Sequence, residues 1–250
     1  MSDDAALRLN LRTQRLGQDE GGHNQWQTVT SAKTLRAAEV ALLLCDVWDA
    51  HHCRGAVERL EEMLPRMNEV VGATRARGIH IIHAPSDTMD FYADAPARKR
   101  AQETPPVEPP PDLDHDDPPS PVDTSQSACD TEDTGDRPWT RQHPGIEIDQ
   151  GRDLITDVGR EVYSYLQQNG IELLIIMGVH TNMCVLHRSF AIKQMVRWGV
   201  RVALVRDLTD TMYDPAMSPY VSHDEGTRLV VEYIEKFWCP TIPSDDLMRD

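Results

Sequence analysis

Two side chains far apart in the chain have the makings of a nucleophile and its base. Cys184 lies in Gly178-Val-His-Thr-Asn-Met-Cys184-Val, directly after the apolar run Ile171–Met177. Asp46 lies near the end of a second apolar run, Ala41-Leu-Leu-Leu-Cys-Asp-Val47. A thiol becomes a nucleophile when a neighbour takes its proton, and a carboxylate can do so. A helix opening at Cys184 would add unpaired amides and the positive end of a dipole, which favour a thiolate and can bind an oxyanion. A free cysteine is more often a small buried hydrophobe, and a strand-end aspartate is commonly a turn cap. The pair therefore counts only if the fold brings both residues to one place.

The elements that must do so are readable from apolar spacing. Ala41–Val47 is a short continuous run, as in a strand buried on both faces. Val57, Leu60, Leu64, Met67 and Val71 then step by three and four as a helical stripe. Pro65 falls inside that stripe and predicts a kink or a division. Gly78 closes the helix, and Ile79–His83 reads as the next strand. A helix capped by Asp153 or Thr156 follows, running through Tyr163 and Leu166 to Asn169-Gly170. After the Ile171–Met177 strand, a helix is predicted from Cys184 to near Gly199, packing Leu186, Phe190 and Met195. Val200–Val205 reads as a strand and Thr227–Phe237 as an amphipathic helix. Such alternation implies a parallel sheet covered on both faces, whose ligands bind beyond the carboxyl ends of the strands. That rule gathers Asp46, His83 and Cys184 on one edge. Arg206–Tyr213 borders the same edge and is assigned no role.

Two segments stand outside this pattern. Residues 1–38 read as an N-terminal extension with little regular structure, leaving 39–250 as the domain. From about 94 to 143 the periodicity collapses, and this stretch holds ten of the seventeen prolines. It reads as an insertion with no core of its own, a solvated loop in preference to a lid or partner-binding arm.

Composition excludes several classes of function. A formal charge of −16 argues against a nucleic-acid partner, which needs a basic face, and against an anionic membrane surface. No run approaches the ~18 apolar residues of a membrane span, and Met-Ser-Asp-Asp-Ala-Ala has no apolar signal core. The five cysteines are odd in number and irregularly spaced, which predicts reduced thiols and a cytoplasmic protein.

The strand ending at Asp46 and the Gly178-Val-His-Thr-Asn-Met-Cys184-Val turn together resemble the isochorismatase-like cysteine hydrolases, which include the nicotinamidases. The likeness covers about residues 40 to 210 apart from the insertion. It implies a Rossmann-like, three-layer α/β/α fold with a six-stranded, mostly parallel sheet, and a homo-oligomer. It further implies Asp46 as general base, Cys184 as nucleophile and a cis peptide between Val179 and His180. Amides at that turn and at Cys184 would form the oxyanion site. The family's third catalytic residue is a lysine, and here the chain departs from the pattern. Only Lys33, Lys99, Lys193 and Lys236 are present, and Lys99 alone lies between the second strand and the cysteine strand. The open alternatives are Lys99 folding back, another cation such as Arg141, Arg152 or a histidine, or an incomplete triad.

A second constellation, Asp46-Val-Trp48-Asp49-Ala-His51-His52-Cys53 with His83 and Asp87, faces the same crevice. Imidazoles, carboxylates and thiolates are metal ligands. The Asp-x-His spacing of the metal site that the resemblance implies is absent after His83, so no cofactor is required and a metal is left open. Trp48, His52 and His83 are then expected to line the pocket, Trp48 as an apolar wall. The expected activity is hydrolysis of a small-molecule amide-type C–N bond through a Cys184 acyl-enzyme. The alternative is a catalytically impaired ligand-binding or interaction protein on the same fold, lacking the lysine. A vinyl-ether-cleaving isochorismatase proper, which lacks the cysteine, is disfavoured by Cys184.

Overall fold

A computed structural model describes residues 6–249. The chain order is β1 (Ala6–Gln18), β2 (Asn24–Arg36), β3 (Val40–Cys45), α1 (Arg54–Ala76), β4 (His80–Ala84), α2 (Pro96–Glu103), β5 (Leu154–Ile155) and α3 (Gly159–Gln168). There follow β6 (Leu173–Val179), α4 (Cys184–His187), α5 (Ile192–Arg197), β7 (Val202–Asp210), α6 (His223–Phe237) and β8 (Thr241–Ile242). One eight-stranded sheet runs in the order β2-β1-β8-β7-β6-β3-β4-β5. From β8 to β5 every neighbouring pair is parallel, which supplies the six strands expected. The other two are an antiparallel hairpin added at the β8 edge.

That hairpin corrects the reading of residues 1–38 as nearly structureless. Leu7 and Leu9 alternate toward the core, where Leu35 joins them, while most of β2 is exposed. The period of two was present but short, and arginine, asparagine and glutamine occupy the outward positions.

The alternation of β3 explains the three layers. Val40, Leu42 and Leu44 face α1, meeting Leu60, Leu64, Met67, Val70 and Val71. Ala41, Leu43 and Cys45 face the opposite layer with Val162, Leu166, Met195, Val230 and Ile234. Successive strand residues point to opposite faces, so both must be apolar when both are covered. Pro65 sits within α1 without dividing it. Asp153 does not cap α3; Thr156 accepts from the Val158 amide at 3.1 Å instead. At the start of α6, Ser222 is the N-cap and accepts from the Glu225 amide.

The helix predicted to run from Cys184 to Gly199 is broken into α4 and α5. A Cβ on Gly159 would come 2.1 Å from the Ser189 carbonyl oxygen, so α3 packs directly against the break. The insertion also differs from the solvated loop expected. It contains α2, buries Val122, Ala128 and Cys129, and is joined to the domain by a disulfide between Cys53 and Cys129. The expectation of five reduced thiols is thus overturned for two; Cys45, Cys184 and Cys239 are free. No helix among the described residues is long and apolar enough to cross a membrane.

Candidate active site

The strand order reverses direction at β3. The chain passes from β3 through β4 to β5 on one side, and from β6 through β7 to β8 on the other. Such a switch point opens a crevice at the carboxyl ends of its two central strands, here β3 and β6. Gly178 closes the gap between them: its φ is +126°, and a Cβ there would sit 2.1 Å from the Cys45 carbonyl oxygen. Only glycine permits that approach, and it brings the residues after β6 against Asp46.

Asp46 is fully buried and has a φ of 49°, in the left-handed region that non-glycine residues seldom adopt. Its Oδ1 accepts from the Ser86 amide at 2.7 Å and its Oδ2 from Arg188 Nε at 2.9 Å. The Cys184 thiol lies close enough to this carboxylate for each to shift the other's proton affinity. Burial raises the Asp46 carboxyl above its ordinary 3.8, against the opposing pull of Arg188, Cys184 and Ser86. Burial likewise pushes the Cys184 thiol up to about 12, reinforced by the charge of Asp46. The resting thiol is therefore protonated. This corrects the expectation of a thiolate stabilised by a long helix, since α4 is a single turn.

The turn that presents Cys184 is held on both flanks. Its Val179–His180 peptide is cis, as the resemblance implies. Thr181 shares a 2.7 Å hydroxyl contact with Thr209, and its amide donates to the Asp210 carbonyl. Asn182 exchanges two hydrogen bonds with the Met212 backbone, at 2.8 and 3.0 Å. Neutral polar anchors of this kind position a backbone without adding charge beside the thiol.

The cation beside Asp46 is Arg188, which none of the named alternatives anticipated. Its Nη2 also reaches Asp87 at 3.2 Å, and its guanidinium lies 5.8 Å from the centre of the Trp48 ring. Burial opposes its charge, but Asp46 and Cys184 outweigh that, so it stays protonated. The candidates considered are elsewhere. Lys99 pairs with Asp94, Lys193 with Asp117, Arg141 lies near Asp49, and Arg152 donates to the Arg75 carbonyl. One signal was available: Arg188 is four residues after Cys184, one helical turn on. A search for lysine alone passes over it.

A small pocket borders this cluster, lined by Asp46, Trp48, His51, Leu60, Val179 and His180 among others. Trp48, expected as a pocket wall, lines it, together with Val179 and His180 of the cis peptide. Of the adjacent histidines His51 lines the pocket, whereas His52 meets Asp133 at 2.9 Å. His83 is also displaced: it is fully buried, with Nε2 3.0 Å from Asp153 and Nδ1 in contact with Gln142. Because β4 is covered on both faces, its side chain points into the layer and not into the crevice. His51 Nδ1 accepts from the Cys53 amide, and burial lowers its pKa to about 3. His180 is lowered to about 4, again by burial first, and its Nε2 has no partner. Both rings are neutral near pH 7. His51, His52 and His83 do not converge; among the described residues the one close group of three donors is Cys53, Cys129 and Asp130, whose two sulfurs are bonded to each other.

Comparisons with known proteins agree with this architecture. A cysteine hydrolase from Pseudomonas syringae pv. phaseolicola 1448A superposes with a TM-score of 0.55 at 15% identity, covering 86% of this chain and 93% of that one. An isochorismatase from Pseudomonas putida KT2440 gives 0.52 at 15% identity, with 84% and 90% covered. No curated protein matches the chain. The family description "Isochorismatase domain" matches residues 40–218, which span β3, the Cys184 turn and β7, and on that match the chain belongs to the isochorismatase family.

Proposed function

We propose that this protein is a hydrolase of small-molecule amide-type C–N bonds that works through a covalent acyl-enzyme on Cys184. The observation that carries the reading is the buried Asp46 carboxyl group, coupled to the neighbouring Cys184 thiol while Arg188 and the Ser86 amide hold its two oxygens. A structural neighbour at 15% identity is described as a cysteine hydrolase, in keeping with the same chemistry.

In this mechanism the thiol proton passes to Asp46 as the sulfur attacks the substrate carbonyl carbon. Negative charge moves to the carbonyl oxygen, for which the amides at His180 and Cys184 are the donors. When the tetrahedral species collapses, the C–N bond breaks and Asp46 returns the proton to the leaving nitrogen, leaving a thioester. A water then gives its proton to Asp46 and attacks the thioester, and Cys184 leaves as the thiol. Arg188 stays charged throughout, because a guanidinium is too weak an acid to shuttle protons. Its part is to hold Asp46 in line and to offset the cost of burying it. That restraint is also what would favour a ligand-binding protein, in which the same cluster binds without turning over.

The test is ammonia release from a panel of small primary amides by wild type and Cys184→Ala. Turnover by the wild type alone supports the hydrolase. Turnover undiminished in Cys184→Ala contradicts it, and binding of amides without turnover by either protein favours the binding module.

A further inference from the structure

The pocket beside Asp46 encloses only about 10 Å³, room for roughly one water. A substrate must therefore displace something. Two of its walls, Trp48 and His51, carry a third ring, Trp139 of the insertion. Trp139 stacks on Trp48 with centroids 4.4 Å apart and planes 13° apart, and lies 5.7 Å from His51 at 15°. Residues 129–142 contain no helix or extended strand, and 132–138 are all exposed, so their hold on the body depends on a few anchors.

Arg59 donates to Asp130 at 2.8 and 3.2 Å and the Gly55 amide donates to Thr131 at 2.9 Å, and the other ties cluster at the two ends. At one end Cys129 is bonded to Cys53, the residue just before α1 and directly after the His51-His52 pair. Next, Asp133 meets His52 at 2.9 Å. At the other end Asp49 accepts from Thr140 at 2.8 Å and from the Arg141 amide at 3.2 Å, and Gln142 bridges to Trp48. Trp139 hangs between the two ends, directly over the pocket wall. The covalent anchor joins positions 76 apart in sequence, and one of them, Cys53, lies between His51 and Ala56 of the pocket wall.

We propose that residues 129–142 are the roof of the active site, that Trp139 is its gate, and that the Cys53–Cys129 disulfide is the latch keeping the gate over Trp48. The proposal rests on reading Cys184 as the reactive thiol, but it concerns access and not turnover. Opening the latch takes two electrons and two protons. A phosphine supplies the electrons, the S–S bond becomes two thiols, and the phosphine leaves as its oxide with oxygen from water.

The test is the rate at which iodoacetamide alkylates Cys184 in the full-length protein, read by peptide mass spectrometry. It compares the oxidised wild type, wild type pre-reduced with tris(2-carboxyethyl)phosphine and desalted, oxidised Trp139→Ala, and Cys129→Ser. Buried Cys45 and Cys239 serve as internal reporters of general loosening. The expected result is alkylation of Cys184 faster by about tenfold or more in the last three, as for a local opening that no longer has to be made, with Cys45 and Cys239 unchanged. Equal Cys184 rates in all four proteins overturn the proposal. So does a rise shared by all three thiols, which would mean a structural effect with no gate. Should Cys129→Ser fold poorly, pre-reduced wild type and Trp139→Ala decide the matter. If Cys184 responds as expected but no amide is turned over, the hydrolase reading fails while the roof stands.

Discussion

Two buried aspartate–arginine pairs, one directly after β3 and one directly before β5, are put to opposite uses. Asp46 with Arg188 and Asp153 with Arg75 have carboxylates that are 0% and 1% exposed. Asp153 receives both Arg75 Nε at 3.0 Å and Nη2 at 2.6 Å, His83 Nε2 at 3.0 Å, and the Asp149 amide at 2.7 Å. Asp46 receives only a single guanidinium nitrogen and one amide. The consequences diverge. Burial acts against both carboxylates, but the donors around Asp153 outweigh it and hold that group at about 2, whereas Asp46 ends above its ordinary value. A fully satisfied carboxylate is a strut. One left short of donors retains the basicity to take a proton.

Substitutions at the two pairs should separate these roles. The largest effect is expected at the reacting groups: Cys184→Ala and Asp46→Asn should each lower amide turnover by about 10³-fold or more, measured as ammonia release. Circular dichroism melts should show Asp46→Asn no less stable than wild type, since the buried, under-donated Asp46 carboxylate opposes folding at neutral pH. Arg188→Ala should cost about 10²-fold in kcat, as for loss of one group stabilising a buried charge, and Arg188→Lys should recover part of it. Removing the guanidinium should also move the acid limb of the kcat/KM profile to higher pH, because the charge that favours ionised Asp46 is gone.

At the strut the pattern inverts. Asp153→Asn should leave kcat per folded molecule unchanged while lowering stability by about 3 kcal/mol, the usual cost of breaking a buried ion pair on one side. The smallest effect is one of pH. A carboxylate whose folded pKa is depressed stabilises above its unfolded value and loses that contribution as pH falls through the folded one. For Asp153 the window runs from 3.8 down to about 2. Within it, the acid dependence of wild-type stability should be steeper than that of Asp153→Asn, as read from urea midpoints at successive pH values.

The comparison also explains what could be read in the sequence. Asp46 and Cys184 were legible because each follows a continuous apolar strand, and the parallel topology then sends both to one edge. Cis Val179–His180 was legible only through the family resemblance. Arg188 was hidden by the departure from lysine, although its distance of four residues from Cys184 pointed to it. His83 was misplaced because a histidine near a strand end can face the crevice or the layer, and only the register with Asp153 and Gln142 decides which. The break after His187 depends on Gly159 lying against Ser189, a contact 30 residues distant. The Cys53–Cys129 bond and the stacking of Trp139 on Trp48 join the insertion to the domain across similarly long loops, and no local spacing announces them.

The most direct test of the thiol–carboxylate pair is acylation by 4-nitrophenyl acetate, whose first step releases coloured nitrophenolate. The mechanism predicts a burst of one equivalent in the wild type, with acetyl mapped to the Cys184 peptide, and a much slower burst in Asp46→Asn. Acetyl absent from Cys184, or a burst of the same rate in Asp46→Asn, would contradict it.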